Sequence, residues 1–139
     1  MKKTVLALLL ATVSSYSLAA DKQQVTVSLT SDSTMAQGMA MVLANQMQEQ
    51  GAQVDILLCD TAGDIALKGA TGEALKPNNV TPAQLLDGAI KKGATASVCA
   101  LYLPNTDHSA EDLRDGITAA NPAKMGASLL EENRKVIGF

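Results

Sequence analysis

Apolar and small polar residues alternate along Val25-Thr26-Val27-Ser28-Leu29, a period of two rich in β-branched types that predicts a strand. Ser31-Asp32-Ser33-Thr34 breaks it and offers helix-capping side chains. From Met35 to Gln48 the period lengthens: Ala36, Ala40, Leu43 and Met47 fall three and four apart, and Met35, Met39 and Val42 widen the stripe. This predicts an amphipathic helix ending near Gly51. Val54-Asp55-Ile56-Leu57-Leu58-Cys59 is mostly apolar, the pattern of a strand covered on both faces. Asp60 to Gly63 then reads as a turn, Asp64 to Lys68 as a short helix, and Gly69 to Val80 as a long loop.

Thr81-Pro82 marks a helix start, with Leu85, Leu86, Ala89 and Ile90 on its buried face and Gly93 stopping it. Ala96 to Leu101 is a third strand, followed by a polar loop from Leu103 to His108. Ser109 is placed to cap a fourth helix, with Glu111 and Asp112 in its first turn and Leu113 and Ile117 on one face. Asn121-Pro122 repeats the cap-plus-proline start, and Lys135 to Phe139 closes the chain as a last strand.

Strands alternating with helices imply right-handed crossovers: a small, doubly wound, flavodoxin-like parallel sheet of the α/β class with helices on both faces. The strand order expected for that architecture is 2-1-3-4. It puts the first strand between those carrying Cys59 and Cys99, about 9–10 Å apart. A disulfide requires Cα atoms within about 7 Å. The expectation is therefore two free thiols.

The start of the chain changes the compartment. Lys2 and Lys3, the apolar run Val5 to Val13 and the small residues Ser17 to Ala20 have the layout of a secretory signal peptide over residues 1–20. The remainder, 21–139, is the size of one domain. No cysteine follows the apolar run at once, and no later stretch is long enough to cross a membrane, so the expected product is an exported, soluble, periplasmic protein. Removing the leader takes the formal charge from −3 to −5. An acidic chain whose only aromatics beyond the leader are Tyr102 and Phe139 is a poor candidate for nucleic acid or for sites of stacked rings.

Candidate chemistry centres on Cys99, near the end of a strand, where open α/β sheets place their ligands. It is either a small buried hydrophobe or an accessible thiol. Cys59 ends its strand at the same edge. Met35, at the start of the first helix, should emerge there too, so Cys59, Cys99 and Met35 form a candidate soft-ligand site suited to Cu(I). His108, the sole histidine, is a candidate proton acceptor or metal ligand, against the plainer reading of a solvated loop residue. No glycine-rich phosphate loop follows the first strand, and one histidine supports neither a zinc site nor a Ser-His-Asp triad, so no cofactor is implied.

The opening strand with its Ala-rich helix, Gly51-Ala52-Gln53-Val54-Asp55-Ile56, Gly93-Ala94-Thr95-Ala96-Ser97-Val98-Cys99 and Asp112-Leu113-Arg114-Asp115-Gly116 follow in an order and spacing that resembles the DsrE/DsrF-like sulfur-relay family, which includes the Tus sulfur-transfer subunits. The resemblance spans nearly the whole chain after the leader. It implies that Cys99 carries sulfane sulfur as a persulfide, that the protein is a carrier more than a turnover enzyme, that it exchanges sulfur with a protein donor or acceptor, and that it forms trimers or hexamers. Where some members have a second cysteine, this chain has Tyr102. The leader also departs from the cytoplasmic relay members. Beside the persulfide carrier stand two other readings, the Cu(I)-binding protein and an assembly module whose cysteines only fill the core.

Overall fold

The computed structural model describes residues 21–139; the expected leader, residues 1–20, lies outside the described residues. Among the described residues, β1 (Gln24–Leu29), α1 (Thr34–Glu49), β2 (Gln53–Leu58), a 3-10 segment (Asp60–Ala66), α2 (Pro82–Lys91), β3 (Thr95–Val98), β4 (Ile117–Ala119), α3 (Pro122–Leu129) and β5 (Arg134–Gly138) follow in turn. Short 3-10 turns, Leu103–Asn105 and Ala110–Asp112, separate β3 from β4. No described helix is long and apolar enough to cross a membrane.

All strand pairs are parallel, so the α/β class holds, but the order is β4-β3-β2-β1-β5 and not 2-1-3-4. The last strand, not the third, takes the free edge of β1, with Val27 opposite Ile137. That leaves β3 to add beyond β2, with Leu58 opposite Val98. Right-handed crossovers running one way from β1 to β3 put α1 and α2 on one face, and the return from β4 to β5 puts α3 on the other.

The core lies under α1 and α2. Val25, Val27, Leu29, Val54, Ile56, Leu58 and Val98 point at Ala40, Met41 and Ala44 of α1 and Leu86 and Ala89 of α2. Each large side chain fully buried here contributes about 1.5–3 kcal/mol. α2 starts at Thr81-Pro82 as the sequence predicts, and Gln84 adds a reciprocal capping box with Thr81. Asn45 Nδ2 then ties the two helices by donating to Met41 O and Leu85 O.

The other face of the sheet is thinly covered. Gln53, Asp55 and Leu57 of β2 are only half-buried, so the expectation of a strand covered on both sides is corrected. An ion pair organises this face: Arg134 of β5 reaches across β1, donating to Thr26 Oγ1 at 2.9 Å and to Asp55 Oδ2 at 2.5 Å.

Two helix readings are corrected as well. Ser109 caps a single 3-10 turn closed by Asp112, after which Leu113 pairs with Leu67, Gly116 turns at a φ of 83° and Ile117 enters β4. A left-handed residue cannot lie inside a continuing helix. On α1 the buried stripe is Gln37, Gly38, Ala40, Met41 and Ala44, one step round from the predicted one. Gly38 faces inward because Leu75 of the long loop occupies the space where a side chain there would begin. Met35 and Met39 are left 74% and 50% exposed.

Candidate functional site

Leu58 and Val98 are the last paired residues of β2 and β3, so the next residue on each strand falls opposite the other. Those residues are Cys59 and Cys99. The ladder continues one step past the strand ends, with Cys59 N–H donating to Leu29 O at 3.0 Å and Cys99 N–H to Leu58 O at 2.8 Å. Their Cα atoms are 5.1 Å apart and the two sulfurs are joined in a disulfide. The expected pair of separated free thiols is thus overturned. Its physical basis was the intervening first strand, and β2 and β3 are in fact neighbours, at the spacing a disulfide needs.

The disulfide is half-buried at the carboxyl rim of the sheet, in the wall of an open cleft of about 560 Å³. Asp60, Thr61 and Asp64 come from the β2 side, and Leu101, Tyr102, Asn105 and Thr106 from the β3 side. Asp60 turns the chain away from β2 at a φ of 55°, a conformation that aspartate tolerates better than most residues. Among the described residues, two carboxylates and no cationic side chain line the cleft, so no positive side chain offsets the charge of a thiolate.

Tyr102 forms the floor. It is buried, its ring lies against Gly63, where any Cβ would overlap the ring carbons, and its hydroxyl donates to Asp64 Oδ1 at 2.7 Å. Burial and then the Asp64 carboxylate push the phenol above its ordinary range. His108 stacks on this ring with centroids 6.5 Å apart and planes inclined by 20°, an offset arrangement.

The candidate residues therefore separate. Cys99 and Cys59 meet, at the rim where they were expected. His108 does not line the sulfur cleft; it lines a neighbouring cleft with Asp32, Thr34 and Lys68, which shares Thr61 and Asp64 with the sulfur cleft, and it stacks on Tyr102. Met35 is exposed on α1 and lines neither cleft, so the Cys59, Cys99 and Met35 triad is not assembled. The bonded sulfurs also present no thiolate for Cu(I), and no group of three or more His, Cys, Asp or Glu among the described residues is placed to hold a metal. The Tyr102, Asp64 and Gly63 contacts were missed. The available signal was the lone aromatic three residues after Cys99.

No family model matches the chain and no curated protein matches it in sequence. Among solved structures, the YchN protein from E. coli is similar with a TM-score of 0.70 and 18% identity, over 85% of this chain and 99% of that one. MTH1491, a protein of unknown function from Methanobacterium thermoautotrophicum, is similar with a TM-score of 0.62 and 9% identity, over 85% of this chain and 100% of that one. At these identities the likeness is one of architecture: the five-stranded parallel sheet with its helices is an α/β fold shared with these two proteins.

Proposed function

We propose that this protein is an exported, periplasmic carrier of the sulfur-relay type that takes sulfane sulfur as a persulfide on Cys99. The observation that supports this most is the position of Cys99, one residue past the carboxyl end of β3, half-buried at an open cleft and already bonded to sulfur. A sulfur carrier needs a reachable sulfur atom. The lining supplies no cation, so Cys59, not a positive charge, is the group that masks Cys99 between transfers. The protein donor or acceptor docks at this rim, and the resemblance noted in the sequence extends the proposal to trimers or hexamers.

The test is to reduce the purified protein, treat it with a polysulfide, tag persulfides and locate the tag by mass spectrometry. One added sulfur on Cys99 is expected in Cys59→Ser and, before Cys59 displaces it, in the wild type, and none in Cys99→Ser. A Cys99 that stays unmodified in every case removes the proposal.

The acidic lining favours a second reading, in which the disulfide is a staple of an assembly module. A sulfur-inert but folded reduced protein would select it.

A further inference from the structure

We infer that the oxidised Cys59–Cys99 pair is itself the acceptor of inorganic sulfide, with Cys59 as leaving group and later as resolving thiol. This rests on the carrier reading above and adds its substrate and its second cysteine. Hydrosulfide attacks Cys99 Sγ, a bond forms between the two, and the Cys59–Cys99 bond breaks with its electron pair left on Cys59 Sγ. The products are a Cys99 persulfide and a Cys59 thiolate, which takes a proton from water. Sulfide is oxidised to sulfane sulfur and Cys59 is reduced to a thiol; the disulfide is the oxidant and no further one is needed. In the reverse direction Cys59 attacks Cys99 Sγ of the loaded protein, expels hydrosulfide and restores the bond.

Three observations carry this. The bond lies in the wall of a cleft, whereas its neighbours Leu58 and Val98 are fully buried, so a small nucleophile reaches it. Opening it leaves Cys59 in place, because the Cys59 and Cys99 N–H groups stay bonded to Leu29 O and Leu58 O. With Cα atoms 5.1 Å apart, the freed thiol then remains within reach of Cys99.

The experiment treats the oxidised, unmutated protein with sodium sulfide under anaerobic conditions, alkylates it and maps both cysteines by mass spectrometry. The expected result is an alkylated persulfide on Cys99 and an alkylated thiol on Cys59 in equal amounts. A disulfide that survives sulfide yet opens with a phosphine overturns the inference, as does a persulfide confined to Cys59. A second arm loads reduced protein with polysulfide, removes excess and follows released sulfide: the wild type is expected to release it and re-form the disulfide, and Cys59→Ser to retain its persulfide. Equal retention by both overturns the inference while leaving the carrier reading intact. Failure to load Cys99 in folded Cys59→Ser brings down both.

Discussion

The Tyr102 hydroxyl donates to Asp64 Oδ1 across the cleft that holds the disulfide, joining the turn after β3 to the 3-10 segment after β2. It is a second, non-covalent bridge between the two segments that Cys59 and Cys99 link. Tyr102→Phe keeps the ring on Gly63 and removes only this bond. Because Asp64 is exposed, no carboxylate is left buried, and the expected loss is about 1 kcal/mol by urea denaturation. A loss near zero would show that water replaces the contact at no cost.

The same phenol gives the protein an alkaline sensitivity. Its folded value lies above the unfolded one of about 10, so the stability it contributes is fully present below pH ~10. Above that the unfolded chain releases a proton that the folded one keeps, and stability should fall by at most about 1.4 kcal/mol per pH unit. Denaturation midpoints from pH 8 upward should show this slope in the wild type and a shallower one in Tyr102→Phe. Identical slopes would mean that Tyr102 ionises freely in the folded protein.

Gly63 tests the shape of the cleft floor. A methyl group there overlaps the Tyr102 ring, and both lie in well-packed surroundings, so Gly63→Ala should cost about 1–3 kcal/mol. The displaced ring would also uncouple His108. Loss of the Tyr102 to His108 contact is measurable as a change in the histidine ring resonances, and an unchanged spectrum with unchanged stability would count against the packing described.

Much of this architecture was legible in local pattern. Thr81-Pro82 announces α2, the alternation from Val25 announces β1, and Cys99 falls at the rim because its strand must end before the polar loop. Strand order was not legible, for a physical reason. Nothing near Val25 records which neighbour fills each edge of β1; that depends on Arg134 to Gly138 returning from the far end of the chain. The disulfide inherits this non-locality, since Cys59 and Cys99 meet only once β5 has displaced β3 from β1. The α1 stripe failed for a different reason: Gly38 faces inward to admit Leu75, a contact that a periodicity of apolar residues cannot register.

Arg134 shows how that returning strand is held. Its side chain is 5% exposed and pairs with Asp55 and with Glu131, and Asp55 also accepts from Thr95. Asp55→Ala removes the inner partner of a nearly buried guanidinium and should cost roughly 2 kcal/mol, the range of a hydrogen bond to a charged group. Hydrogen exchange should then rise first in β5, which keeps its backbone ladder to β1 and the Arg134 bond to Thr26 but loses its side-chain tie to β2. Uniform acceleration across the sheet would contradict this division.

Reduction of Cys59–Cys99 separates the energetic role of the bond from its chemical one. The cysteines are 40 residues apart, and opening a loop of that size restores chain entropy worth about 4 kcal/mol in the unfolded state. The folded state loses little, because the Cys59 and Cys99 amides and the Leu58 to Val98 pairing are backbone contacts that do not involve sulfur. Reduced protein should therefore unfold at markedly lower urea while keeping its far-ultraviolet circular dichroism in water, and the double variant Cys59→Ser with Cys99→Ser should match it. If secondary structure disappears on reduction, the sulfur bond and not the ladder holds this edge of the sheet. A cycle that opens the bond would then have no folded protein in which to run.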